Sequence, residues 1–487
     1  MKPSLRKNIA LDLLLLGYVL LPRLYFFAPE IDSWDAVDFA LGLHSFELTL
    51  YQPHFPGYPI FMACAKVFSL LGCSDAVALS LPGLLGLGGS LLFLRRALTN
   101  KFSSVVGFAA VMGLASLPIV AIFSVRPMSD ALGLACLILT LSMGLEGRWR
   151  LLGFWLGVSL GVRLSYAPLV LSAGFLWWRS PQEKQNIRVV LFFFLGGCLL
   201  WLMPVLLLEG SAFFTEGYRF VTGHFTRWGG AIDADTDWRS RAQMLVWNFW
   251  AYGLGGLWPV DGFSLPRALS SLSALGCFVG VALALRVREQ REFFFTLLTP
   301  YFLWVSLGQN PESPRHIIPL VALLVGFAAL SLRPSLTSPK SGDHKRREVV
   351  HEARGVWRCS LALLVSLGFL GTSLGLLQEQ AATPAPQAAL ARYVQHSYPP
   401  KTRFYGWKTT RLVSYYAPQI EARLMRSLPK LVEAIEASPT SAPVLFESKL
   451  SERRRRDRCF EVVQSFRRSR YLDPSYASIT LFRDCGP

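Results

Sequence analysis

Runs of roughly twenty residues almost free of charge recur along the chain, separated by short basic clusters. The runs are continuous and Leu-rich. They do not alternate over about ten residues as membrane β-strands do, so they read as helices long enough for a bilayer core about 30 Å thick. The pattern predicts spans over 8–28, 76–94, 103–124, 129–145, 189–208, 268–285, 293–308, 315–332 and 357–377. Two further short pieces lie in 151–178, broken at Gly161-Val162-Arg163. The total is about eleven spans. Residues 59–72 are amphipathic and short, and predict a helix at the membrane edge. The basic opening and first apolar run resemble a signal peptide, but no small-residue cleavage site precedes Pro22-Arg23. The first run therefore reads as an uncleaved helix with a cytoplasmic N-terminus.

The polar segments complete the layout: a membrane domain over 1–378 and a small α/β domain over 379–487. In the second part, 385–396 and 427–437 read as helices, and Ala442-Pro443-Val444-Leu445-Phe446 reads as a strand. With the N-terminus inside, the inner loops carry Arg95, Arg96 and Lys101, then Arg148 and Arg150, then Arg179, Lys184 and Arg188, then Arg286, Arg288 and Arg291, and the basic linker 333–356. That matches the excess of Lys and Arg on the cytoplasmic side of membrane proteins. The two long loops, 29–58 and 209–266, and the C-terminal domain then face outward. The basic run 453–458 does not oppose this, because large domains translocate regardless of charge.

Composition sharpens the class. Hydrophobic residues make up 52% of the chain and charged residues 17%, against about a quarter charged in soluble chains. The net charge of +17 fits positive inner loops and anionic lipid headgroups, and it sits between apolar runs rather than in a nucleic-acid-binding stripe. The eight cysteines form no CxxC pair. Cys136, Cys198 and Cys277 lie in apolar runs, while Cys459 and Cys485 flank a segment of the outer domain, where a disulfide competes with two free thiols. No internal repeat is visible, which disfavours the inverted-repeat transporters.

Five places carry candidate chemistry. The first outer loop packs Glu30, Asp32, Asp35 and Asp38 among Trp34, Phe39 and Phe46, followed by Gln52, His54 and a Phe-Pro-Gly-Tyr-Pro turn. If 33–46 is helical, Asp35 and Phe39 share a face with Asp38 nearby, and a partly desolvated carboxylate there has its pKa raised toward that of a base. A solvated acidic loop is the plainer reading of the charges. In Arg126-Pro127-Met128-Ser129-Asp130, Ser129 or Asp130 fits a helix N-cap, or Asp130 is a second carboxylate at the outer face. Arg163 interrupts an apolar stretch and either snorkels or meets a lipid phosphate. His224 and Arg227 are candidates for a phosphate or sugar contact, and the nearby Asp233, Asp235 and Asp237 lack the rest of a calcium loop. Arg315 and His316 open a span, where basic residues suit a phosphate better than the helix dipole; Glu312 pairing with Arg315 is the alternative.

These segments, in this order, resemble the GT-C membrane glycosyltransferases, among them protein O-mannosyltransferases and lipid A aminoarabinose transferases. The resemblance rests on Trp34-Asp35-Ala36-Val37-Asp38-Phe39-Ala40-Leu41, Gln52-Pro53-His54-Phe55-Pro56-Gly57-Tyr58-Pro59, Pro127-Met128-Ser129-Asp130, Gly161-Val162-Arg163 and Pro314-Arg315-His316-Ile317-Ile318-Pro319. It covers roughly residues 8–332. It implies a GT-C-like fold, Asp35 as general base, Asp130 as the second catalytic carboxylate, and Arg163, Arg315 and His316 on the lipid phosphate; Asp38, His54, His224 and Arg227 are read beside them from the loops themselves as further substrate contacts. The family's Lys-Pro-Pro pattern stands here as His54-Phe55-Pro56, so neither relative's substrate carries over. The implied reaction is inverting transfer of a sugar from a polyprenyl-phosphate donor to a hydroxyl acceptor of unknown identity, outside a bacterial inner membrane. No metal-ligand motif is present and a divalent metal is not firmly implied; no nucleotide loop is present either. A flippase for a lipid-linked sugar would share the phosphate contacts, and a membrane scaffold with a binding domain is a third reading; neither needs converging carboxylates.

Overall fold

The computed structural model describes residues 3–179, 187–227, 230–232, 237–259, 262–333, 344–437, 442–448 and 459–485. Asp233, Asp235, the run 453–458 and residues 334–343 of the basic linker lie outside them.

The apolar runs are helical. Among the described residues, Asp75–Lys101, Ile187–Glu209, Leu265–Ala284 and Val356–Ser397 are long and apolar enough to cross a membrane, and six shorter apolar helices accompany them. The chain is a polytopic membrane protein with a small sheet at its C-terminal end. The run 103–124 is not one helix. Leu117 is extended before Pro118, because proline disfavours the helical region in its predecessor, and Ser104–Ser116 therefore stops short of Pro118–Phe123. The expected break in 151–178 is present: Trp149–Val162 ends at an extended Arg163, and Pro168–Arg179 starts anew. The helix Ile187–Glu209 turns Leu191, Phe192, Leu195, Leu199 and Leu207 outward, a surface that suits lipid.

Glycine sets one helix crossing. A methyl group on Gly157 would stand 2.3 Å from the carbonyl oxygen of Phe194, and one on Gly197 would stand 2.3 Å from that of Phe154. Trp149–Val162 and Ile187–Glu209 thus touch backbone to backbone, the small-residue packing that drives association where water supplies no hydrophobic force. This crossing anchors the helix that ends at Arg163.

One expectation needs correction. Residues 209–266 are not mainly a loop: Ala212–Thr226, Trp238–Trp247 and the π-helix Asn248–Gly253 occupy much of the segment. Ala212–Thr226 is amphipathic, with Phe214, Tyr218 and Val221 exposed.

The C-terminal region is the expected α/β unit. Strands β1 (Arg403–Gly406), β2 (Glu421–Leu424), β3 (Val444–Glu447), β4 (Phe460–Arg467) and β5 (Ser478–Asp484) form a sheet of order β2-β1-β3-β5-β4. β1 runs parallel to β2 and β3, while β5 is antiparallel to β3 and β4. Pro386–Ser397 and Leu428–Ala437 are helical as read from the sequence. A disulfide joins Cys459 to Cys485 at the open end of the β4–β5 pair, with Cα atoms 5.3 Å apart.

Candidate active site

The first outer loop folds as a short helix and a turn. Ser33 caps Trp34–His44 by accepting from the Ala36 amide, so Asp35 sits in the first turn. The helix buries Val37, Asp38, Phe39 and Ala40, and Phe39 packs edge-on against Tyr58 and Phe61. Gly57 has φ +88, and a side chain there would strike the Phe46 ring at 2.8 Å. Only glycine closes this turn, which brings His54 back against Asp38.

The four acidic residues of the loop have different partners. Glu30 bonds Arg392 and accepts from the Ala385 amide. Asp32 faces Arg126 at 3.6 Å, and Arg126 reaches Asp473 at 3.3 Å. Asp38 accepts from Arg411 at 2.9 Å and from His54 Nδ1 at 3.1 Å. These three carboxylates are tied, directly or through Arg126, to the C-terminal region. Asp35 bonds Arg315, a cation of the membrane domain.

Arg315 lies in the turn Pro314–Ile317 that opens Ile318–Leu330. It bonds Asp35, not Glu312, which pairs instead with Lys408 at 3.6 Å. Next to it, Arg163 bonds Asp130 at 2.6 Å and donates to Ser129 Oγ at 3.3 Å. Ser129 makes no capping bond to the helix Asp130–Leu145, so the N-cap reading of this turn does not hold; the buried guanidinium takes both side chains instead.

A cavity of about 1250 Å³ is lined by Asp35, Asp38, His54, Arg163, His224, Arg227, Arg315 and His316. The sequence-selected residues thus converge on one chamber, Asp130 excepted. Asp130 is 1% exposed and stands behind Arg163, where it orients that guanidinium without reaching the chamber wall. His224 donates from Nε2 to the Gly308 carbonyl at 2.5 Å, which fixes its ring. Leu164, Leu171, Val221 and Phe225 give the chamber an apolar side, and Trp407, Lys408, Arg426 and Tyr476 close it from the C-terminal domain.

The electrostatics correct one expectation about Asp35. Burial by itself would raise its pKa, but the charge and hydrogen bond of Arg315, with His54, hold it well below the usual carboxylate range. His54 goes the other way. Burial favours the neutral ring, but Tyr58, Asp35 and Asp38 outweigh it and raise the pKa to about 10. His54 is therefore an imidazolium that donates to Asp38 and, at 3.1 Å, to the Tyr58 oxygen. Asp35, Asp38 and His54 each bring a ligand-type atom within 4.8 Å of the others. Arg315 bonds one oxygen of Asp35, and Arg411 and His54 bond the two oxygens of Asp38, so a cation held there would compete with these partners.

Sequence reasoning missed Arg411, Lys408 and Trp407. They lie in a region without any recognisable motif, and nothing local signals that Arg411 meets Asp38, 373 residues away. Tyr58 stood inside the quoted turn but had no assigned role.

No family model matches the chain, and no curated protein matches it by sequence. Solved structures do. The chain is similar to ArnT from Cupriavidus metallidurans bound to undecaprenyl phosphate, with a TM-score of 0.53 and 12% identity over 99% of this chain and 98% of that one. The apo form of ArnT gives 0.52 and 14% over 99% and 97%. The chain is also similar to the Archaeoglobus fulgidus oligosaccharyltransferase tethered with an acceptor peptide, at 0.50 and 13% over 85% of this chain and 63% of that one. The likeness to ArnT includes both the helical bundle and the C-terminal sheet, so this chain has the GT-C fold.

Proposed function

We propose that the chain is a membrane glycosyltransferase that moves a sugar from a polyprenyl-phosphate-linked donor to a hydroxyl acceptor, with inversion at the anomeric carbon. The observation that carries this reading is the chamber in which Asp35 faces Arg315 and Arg163 beside an apolar wall. A carboxylate, two guanidiniums and a greasy flank are what a base, a phosphate and a lipid require. Undecaprenyl phosphate bound to ArnT, of the same fold, supports the donor class.

The acceptor hydroxyl gives its proton to Asp35 as its oxygen attacks the anomeric carbon. The bond from that carbon to the phosphate oxygen breaks, and its electron pair leaves with the polyprenyl phosphate, whose added charge Arg315 and Arg163 receive. In the free site Arg315 holds Asp35 as a weakly basic carboxylate. A donor phosphate that draws Arg315 away removes the cation depressing Asp35, so the base gains strength when a lipid phosphate occupies the site. Asp130 keeps Arg163 aimed at the chamber, and His224 with Arg227 borders the sugar or phosphate.

The chamber faces outward in the orientation set by the basic inner loops, with about eleven spans. The Cys459–Cys485 bridge supports an oxidising compartment, and a bacterial inner membrane with an external site fits both. The test uses purified protein and undecaprenyl phosphate. Wild type should bind it, and Arg315→Ala should weaken binding at least tenfold. Equal binding by both, or none by wild type, overturns the reading.

A further inference from the structure

The helix Thr409–Tyr416 of the C-terminal region lies across the first outer loop. Three of its side chains bond the membrane domain, two of them within that loop. Arg411 bonds Asp38 through Nε, and through Nη2 it donates to the carbonyls of Leu50 and Tyr51, both at 3.1 Å. Tyr415 donates to Asp75 at 2.9 Å, and Tyr416 donates to the Ile31 carbonyl at 2.9 Å. Arg411 and Tyr415 are four residues apart and so share a face.

The Arg411 contacts differ from the rest of the domain interface. Asp38 is 0% exposed and needs more than one partner to keep its charge. His54 supplies one and Arg411 the other. The same guanidinium holds the two carbonyls that lead into Pro53 and His54, so it spans both limbs of the loop: the helix bearing Asp35 and Asp38, and the turn bearing His54 and Tyr58. Lysine has one charged nitrogen and cannot hold a carboxylate and two carbonyls from fixed directions.

We propose that Arg411 is a positioning residue of the active site, locking the Asp38–His54 pair and the 48–58 turn at the wall of the reaction chamber beside Asp35. The C-terminal domain is then part of the catalytic apparatus, not a separate binding module. The role in turnover rests on the transferase reading given above; the role in fixing the loop does not.

The experiment compares Arg411→Met, Arg411→Lys and Arg392→Met in the full chain. Arg392 holds Glu30 at the same interface without touching Asp38, His54 or the 48–58 turn. Hydrogen exchange of peptides covering 48–58 reads the loop. Release of undecaprenyl phosphate from undecaprenyl-phosphate-linked sugars, with envelope membranes as acceptor, reads turnover. Arg411→Met should speed exchange in 48–58 at least tenfold and cut kcat at least tenfold, with undecaprenyl phosphate binding changed less than threefold. Arg392→Met should leave 48–58 protected, and Arg411→Lys should recover only part of the loss. Unchanged exchange in Arg411→Met, equal loss in Arg392→Met, or full recovery by lysine overturns the proposal. If wild type turns over no such donor, the transferase reading fails while the exchange data still decide whether Arg411 fixes the loop.

Discussion

Replacing Asp35 with asparagine separates a base from a mere phosphate-site neighbour. The amide keeps the shape and still accepts a hydrogen bond from Arg315, but it cannot take a proton. Loss of a general base costs about 10² to 10⁴ in turnover, which at 1.36 kcal/mol per decade is about 3–5 kcal/mol of transition-state stabilisation. The side chains of Asp35 and Arg315 are 25% and 18% exposed, so solvent screens the pair in part. The stability cost is therefore below the roughly 3–5 kcal/mol of a fully buried broken pair, about 1–3 kcal/mol. The neutral amide also leaves Arg315 free for a phosphate. Undecaprenyl phosphate should bind Asp35→Asn as tightly as wild type or more tightly, while transfer falls at least a hundredfold. Isothermal titration for binding and undecaprenyl phosphate release for turnover give the two numbers. Turnover within tenfold of wild type, or binding weakened more than tenfold, refutes Asp35 as the base.

Asp130→Asn breaks a pair whose members are 1% and 4% exposed and should cost about 3–5 kcal/mol in thermal unfolding. Asp130→Asn with Arg163→Met should cost clearly less than the sum of the single changes, and additivity would contradict the pairing. His54 has a folded-state pKa raised from 6.5 to about 10. Its contribution to stability is full below 6.5 and is lost as pH rises toward 10, because in that window the folded state holds a proton the unfolded state has released. The stability gap between wild type and His54→Gln should therefore shrink with rising pH over that range, by at most about 1.4 kcal/mol per pH unit; a gap that widens rules out the buried imidazolium. The Cys459–Cys485 bridge spans a separation of 26 residues, a loop whose closure is worth about 3–4 kcal/mol. Reduction should speed hydrogen exchange in β4 and β5, and unchanged exchange would assign the bridge no stabilising role.

What the sequence revealed follows from where the information is local. Hydropathy reports burial in lipid residue by residue, so the apolar helices and the break at Arg163 were legible, while the break before Pro118, inside a run read as a single span, was missed. The acid-aromatic loop and the Arg315 turn were legible because a charge at a membrane edge is costly without a purpose. The segment 209–266 was misread because Trp, Gly and Asp hide the helical period of an interfacial helix such as Ala212–Thr226. The direction of the Asp35 shift was misjudged for another reason. Burial is readable from neighbours in sequence, but the opposing cation, Arg315, comes from 280 residues away. Arg411, 373 residues from Asp38, had no local signal of any kind.

The long contacts also impose an order in time. Glu30, Asp38 and Arg126 enter the membrane region early in synthesis, while their partners Arg392, Arg411 and Asp473 leave the ribosome hundreds of residues later. Until then Glu30 lacks Arg392 and Asp38 has only His54, so the first outer loop is held by part of its final set of contacts. The first outer loop therefore reaches its final form only after the last hundred or so residues have docked against it. A chain truncated before Arg392 would display the bundle and the lipid-facing surface without the contacts that hold this loop.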